Sequence, residues 1–157
     1  DDRVLGNPQI SRWSYSSSKA VCEHMISALT EQKKLRSSVM RYFNIYGPWQ
    51  NSNFVISGAL HKALNDKKPT IFDSGNQTRC FCHVDDATKA MTDLLKSKHI
   101  NQTFNIGNNY EPITMSELAK KVSKKFKNKI TIKKTPFSKS ERTKIREIYY
   151  RKPNMDK

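Results

Sequence analysis

The chain has 157 residues, the size of one ordinary domain, with 29 Lys and Arg against 14 Asp and Glu, a formal charge of +15. Two Trp, six Tyr and seven Phe can anchor a core, which excludes full disorder. No apolar run approaches the roughly 20 residues of a membrane-spanning helix, and three cysteines (Cys22, Cys80, Cys82) are too few for a disulfide framework.

In chain order, residues 11–33 read as a helix, with Val21, Met25 and Leu29 at i, i+4 and i+8 and Cys22 and Ile26 beside them. Residues 37–43 are β-branched and aromatic and read as a strand. Residues 44–48 read as a loop stopped by Gly47-Pro48. A helix over 55–65 follows, then a strand over 69–72, a turn over 73–76 and a strand over 79–84. Asp86 is the expected N-cap of a helix running to residue 96. A strand over 103–106 closes at Gly107. Thr114 and Glu117 have the spacing of a capping box, which predicts a helix to about residue 126. Ile130-Thr131-Ile132 reads as a last strand, and residues 135–157 show no period. Strands alternate with helices, so the expected class is α/β with a largely parallel sheet. No glycine-rich linker marks an internal boundary.

Eight Lys fall among the fifteen positions from Lys120 to Lys134. Apart from Phe126 no aromatic interleaves for base stacking. A solvated helix face and edge strand therefore account for the run, and no specific nucleic-acid site is expected. Cys80, Cys82 and His83 have a metal-like composition. On a strand, however, His83 faces away from the two thiols, so small buried thiols are expected instead. His24 is expected at the surface or an interface.

The strongest local chemical signal is Tyr15-Ser16-Ser17-Ser18-Lys19. At i and i+4 the Tyr and the Lys share a helix face. A phenol is a poor base at neutral pH, and a neighbouring ammonium favours its phenolate. Such a pair can take a proton from a sugar hydroxyl, although the spacing alone also fits an ordinary exposed Tyr/Lys pair.

Further motifs follow in order: Arg41-Tyr42-Phe43-Asn44-Ile45-Tyr46-Gly47-Pro48, then the stretch from Gly75 through Arg79 and His83 to Asp86, then Phe104-Asn105-Ile106-Gly107, then Arg151-Lys152-Pro153. With the Tyr/Lys pair, the series resembles the extended short-chain dehydrogenase/reductase family, in its NAD-dependent nucleotide-sugar epimerase/dehydratase branch. The resemblance runs over essentially the whole chain. It implies the C-terminal part of a doubly wound parallel Rossmann sheet plus a small mixed α/β substrate-binding domain, with residues 1–157 forming the C-terminal portion of such an enzyme.

The resemblance also implies roles. Tyr15 is the catalytic base and Lys19 its partner, both touching the cofactor ribose. Phe43 lies beside the nicotinamide of NAD. Asn44 holds the diphosphate of a UDP- or dTDP-sugar, Phe72 lies against its base, and Arg79 and Arg151 grip the diphosphate. A planar guanidinium suits phosphate oxygens, and a flat ring suits a base. The reaction implied is 4-epimerisation, in which Tyr15 deprotonates the 4-hydroxyl while the C4 hydride leaves to NAD and returns to the other face. A 4,6-dehydratase, a UDP-glucuronate decarboxylase and a non-catalytic truncated product that binds anions weakly stay open. A homodimer through the Tyr15/Lys19 helix and a cytoplasmic setting are implied as well.

Departures from the family pattern bear on substrate fit. Trp49 stands where the family usually has Arg, Asn154 stands where it has Asp, and the loop over 50–54 is about two residues short. The family's glycine-rich pyrophosphate turn has no counterpart among the five Gly. That turn and the catalytic Ser/Thr are expected upstream of Asp1.

Overall fold

A computed structural model describes residue 9 and residues 12–126, 133–135 and 148–155. The elements in order are α1 (Arg12–Glu31), β1 (Ser38–Tyr42), β2 (Ile45–Tyr46), α2 (Val55–Leu64), β3 (Thr70–Phe72), β4 (Thr78–Arg79), β5 (Cys82–His83), α3 (Val84–Lys96), β6 (Gln102–Ile106), β7 (Ile113–Thr114), α4 (Met115–Lys125), β8 (Lys133–Thr135) and β9 (Tyr150–Arg151). The chain divides into two compact units. The first holds residues 1–41 and 96–104, the second residues 42–95 and 105–157.

The class is α/β, as the alternation of patterns predicts, but the strands form four small sheets rather than one. β1 pairs with β6, β2 with β5, β3 with β8, and β4 sits between β7 and β9. The pairs β2–β5, β3–β8 and β4–β9 are parallel, while β4–β7 is antiparallel.

In the first unit, α1 ends close to its expected limit. The chain reverses through Lys33, which adopts left-handed backbone (φ 57°). Thr30 and Ser37 then share a hydroxyl–hydroxyl bond of 3.0 Å across that turn. The apolar stripe of α1 is not buried. Val21, Met25 and Leu29 are 55%, 61% and 40% exposed, and Ala20 is the buried apolar side chain of this helix.

The second unit holds the other buried apolar side chains found among the described residues, including Ala63, Ile71, Cys80, Cys82, Ala87, Ala119 and Val122. Helix α4 starts as its sequence predicts. Thr114 Oγ1 accepts from the Glu117 N–H, and the Glu117 carboxylate accepts from the Thr114 N–H. That bond holds the Glu117 carboxyl below the ordinary range.

Several expectations shift. Ile45 and Tyr46 form a short strand, not a loop, because Asn44 takes left-handed backbone (φ 43°) and turns the chain alongside Cys82 and His83. The stretch expected as one strand is broken at Cys80-Phe81 into β4 and β5, which join different sheets. Helix α3 begins at Val84, so Asp86 lies inside its first turn. There it faces the positive helix end but does not cap it. His83 caps instead, its Nδ1 accepting from the Asp85 N–H at 3.3 Å. The expected strand over 130–132 lies outside the described residues, and the described strand there is β8. Within the stretch without period, Tyr150–Arg151 is a strand, held by pairing with β4 rather than by any pattern of its own.

Candidate active site

Helix α1 presents Tyr15 and Lys19 together. The Lys19 Nζ lies 5.5 Å from the centre of the Tyr15 ring, within cation–π range. Tyr15 is 70% exposed and Lys19 is exposed, so both reach solvent from the first unit. Two of the three intervening hydroxyls turn back onto the helix, Ser16 donating to the Trp13 carbonyl and Ser18 to the Tyr15 carbonyl.

The other five candidate residues lie in the second unit, where separate motifs converge. Strands β4 and β9 run parallel with Arg79 and Arg151 as register partners. Register partners of a sheet project to one face, so the two arginine side chains leave the sheet on the same side. Arg79 Nη1 donates to the carbonyls of Thr78 (2.8 Å) and Tyr149 (3.3 Å), which orients its fork along the strand edge. Like charges placed directly opposite on neighbouring strands destabilise a sheet. An anion between them reverses that sign.

Phe43, Gly107 and Pro153 meet at one point. A Cβ built on Gly107 would stand 3.0 Å from Phe43 Cβ and 3.3 Å from Pro153 Cγ. Three motifs far apart in sequence therefore touch where a glycine leaves room. The Phe43 N–H donates to the Ile106 carbonyl (2.9 Å), and Asn105 Nδ2 donates to the Asn154 carbonyl (2.8 Å). Asn154 thus takes part through its backbone, which any residue type supplies.

Asn44 is half-buried, and its Nδ2 donates to the Cys80 carbonyl at 2.9 Å. It ties the β2 turn to the break between β4 and β5. Phe72 is half-buried at the end of β3, and its carbonyl accepts from the Gly75 N–H. Trp49 is fully exposed on left-handed backbone (φ 67°), so its ring has no local support.

Both thiols of this unit are buried, as expected, and burial pushes each above the ordinary thiol range. Asp86 adds to the shift at Cys82. Protonated buried thiols are structural rather than nucleophilic. Among the described residues no group of three His, Cys, Asp or Glu side chains is placed to hold a metal ion. No helix among them is long and apolar enough to cross a membrane.

Sequence reasoning missed two supports. Gln77 is buried, its side chain reaching the Phe72 carbonyl and its backbone carbonyl accepting from the Met115 N–H. Tyr149 offers its carbonyl to the Thr78 N–H at 2.6 Å, beside its bond to Arg79. Backbone acceptors carry no residue-type signal, so Tyr149 was not visible in the sequence. A lone Gln between a turn and an Arg was visible but uninformative.

A sequence profile of the NAD dependent epimerase/dehydratase family matches residues 2–107. The chain belongs to that family. Among curated relatives it is 36% identical over 108 residues to a dTDP-D-glucose 4,6-dehydratase of Dictyostelium discoideum, covering 69% of this chain and 25% of the relative. It is 32% identical over 160 residues to a UDP-N-acetyl-alpha-D-glucosaminuronate decarboxylase of Bacillus cytotoxicus, covering 100% of this chain and 49% of the relative. A solved UDP-N-acetylglucosamine 4-epimerase from Methanobrevibacter ruminantium, in complex with UDP-N-acetylmuramic acid, superposes with a TM-score of 0.79 at 27% identity, over 90% of this chain and 44% of that one. The chain thus spans a quarter to a half of the relatives it matches. These relatives bear out the α/β Rossmann class and the nucleotide-sugar epimerase/dehydratase resemblance.

Proposed function

We propose that the whole protein carrying this chain is an NAD-dependent nucleotide-sugar 4-epimerase, and that this chain supplies its catalytic Tyr/Lys pair and its diphosphate clamp. The observation that carries the reading is the register pairing of Arg79 with Arg151. Two adjacent guanidinium forks suit a diphosphate, the feature common to UDP- and dTDP-sugars. Asn44 donates its amide to the carbonyl of Cys80, the chain neighbour of Arg79, and the flat ring of Phe72 suits the base.

The chain fits one end of NAD. An exposed phenol and ammonium on successive helical turns match a ribose diol, and Phe43 belongs beside the nicotinamide. The five glycines have no pyrophosphate-turn spacing, so this chain offers no glycine-rich cradle for the rest. NAD, when bound, supplies hydride chemistry at the sugar carbon. Tyr15 takes the hydroxyl proton at its Oη and gives it back, and Lys19 stabilises the phenolate. Arg79 and Arg151 hold the diphosphate throughout.

A 4,6-dehydratase or a sugar-acid decarboxylase is the second reading, favoured by the two curated relatives. A weak anion binder without activity is the third. A second copy is proposed to cover the exposed stripe of Val21, Met25 and Leu29, which gives a homodimer through α1. A cytoplasmic setting accords with three free cysteines. The lysine-rich α4 region is taken as a solvated surface, not a specific nucleic-acid site.

The test is to assay the whole protein with UDP-glucose, UDP-glucuronate and dTDP-glucose. A C4 epimer supports the reading. Loss of water or of carbon dioxide replaces it with the second, and no turnover of any sugar nucleotide leaves the third.

A further inference from the structure

The first unit contains a feature that the proposed chemistry leaves unused. The Arg41 guanidinium forks onto the Glu23 carboxylate, Nε to Oε1 at 2.9 Å and Nη2 to Oε2 at 2.5 Å. Both side chains are partly shielded, 35% and 23% exposed. The bond raises the Arg41 guanidinium above its already high ordinary value, so the pair stays charged at any physiological pH.

The pair spans a gap. A groove of about 830 Å³ lies between α1 and β1, and Ala20, Glu23, Ser27, Thr30, Val39 and Arg41 are among its walls. Among the described residues α1 brings one fully buried apolar side chain, Ala20, and the half-buried Ile26 to this groove, so apolar packing across it is modest. Close packing ordinarily sets the axial position and rotation of a helix. Here little of it is available. The described polar links are the Glu23–Arg41 fork, in the row of Tyr15 and Lys19, and the Thr30–Ser37 hydroxyl bond at the far end of the helix.

Tyr15, Lys19 and Glu23 occupy i, i+4 and i+8 of α1, one row that drifts by about 40° per step. The anchored carboxylate is therefore one turn beyond the ammonium and two beyond the phenol. A slip of the helix by one residue moves each by about 1.5 Å and turns it by about 100°.

We propose that Glu23 and Arg41 are positioning residues, a bidentate tether across the α1–β1 groove that fixes the axial register of the helix presenting Tyr15 and Lys19. This rests on the catalytic reading of that pair. The tether touches neither substrate nor cofactor, and its effect is on where the base stands.

The test is steady-state kinetics on Glu23→Ala, Glu23→Gln, Arg41→Lys, the charge-exchanged Glu23→Arg/Arg41→Glu, Thr30→Val and Tyr15→Phe, all in the whole protein, with Tm measured on each. A misplacement near 1 Å costs about 10²-fold in rate. Glu23→Ala is therefore expected to lower kcat by about that factor with KM little changed. Glu23→Gln keeps the shape and guards against misfolding. It and Arg41→Lys, which keeps the charge without the fork, should show smaller losses of the same kind. The charge exchange should recover part of kcat over Glu23→Ala. Thr30→Val removes the other link and should lower Tm without the kcat loss. A Glu23→Ala or Glu23→Gln variant with unchanged kcat, or one whose loss merely tracks Tm across the set, overturns the tether while an inactive Tyr15→Phe preserves the catalytic reading. A fully active Tyr15→Phe overturns both.

Discussion

The two units hold their candidate residues in opposite ways. In the first, Tyr15 and Lys19 stand exposed on a helix whose apolar stripe is also exposed, and whose described link to its sheet is largely polar. In the second, every candidate residue is locked by backbone pairing or by a bond from another motif. A diphosphate clamp needs only fixed charge. It can be built into a sheet, where backbone ladders supply the rigidity. On the proposed reading a base has to reach a reacting atom, and Tyr15 stands exposed on its helix.

Removing the base should produce the largest effect. Tyr15→Phe deletes one oxygen and keeps the helix, so turnover of the whole protein is expected to fall about 10²–10⁴-fold, the usual worth of acid–base catalysis. Nucleotide-sugar affinity, measured by calorimetry, should barely move. Near-normal kcat would reduce Tyr15 and Lys19 to a helix face and erase the contrast between the units.

Breaking the clamp should invert that pattern. Arg79→Ala removes charge-assisted bonds worth roughly 1.5–3 kcal/mol each, so KM is expected to rise about 10–100-fold, with a smaller loss of kcat. Arg151→Ala should resemble it, and the double variant should fall short of the sum because one anion bridges both. Additive effects in a double-mutant cycle would separate the two arginines and remove the observation on which the clamp rests.

Crowding the meeting point of three motifs should act on stability. Gly107→Val drives branched carbons against Phe43 and Pro153, and overpacking of this kind costs about 1–3 kcal/mol. Denaturant unfolding of the variant reads the cost directly. An unchanged midpoint would mean that this junction is looser than the interlocked second unit requires.

The smallest effect should come from acid. The Glu117 carboxyl is held below its ordinary value by the Thr114 backbone and side-chain bonds. Its contribution is therefore complete above the ordinary carboxyl value, about 4.3, and is lost as pH falls through the lowered value of the folded state. Thermal unfolding of the protein should show this acid-side loss, and Glu117→Gln should flatten it. Equal acid slopes in the two proteins would show that the capping box does not contribute through its charge.

Local chemistry made much of this legible in the sequence. The span of α1 follows from its residue pattern, the start of α4 from Thr114 and Glu117, and the strand ending at Gly107 from its β-rich run. Cys80 and Cys82 were expected buried, and they are. The family was legible too, since ordered motifs survive where overall identity is modest. What the sequence left open was whether anything covers the apolar stripe of α1. Val21, Met25 and Leu29 have helical spacing, yet periodicity records only that side chains share a side, not that anything covers it.

The sequence by itself determined the four helices found among the described residues, the start of α4 at its capping box, and membership of an NAD-dependent family. Each of these depends on groups within a few residues of one another, or on motifs that keep their order. Only the tertiary structure decided that Asn44 turns the chain into a strand, that the expected strand over 79–84 divides between two sheets, and that Arg79 stands opposite Arg151. Such outcomes depend on partners 36 to 72 positions away, as between Asn44 and Cys80 or Arg79 and Arg151. A two-residue strand has no period to detect. It exists because a distant segment supplies the matching N–H and C=O groups.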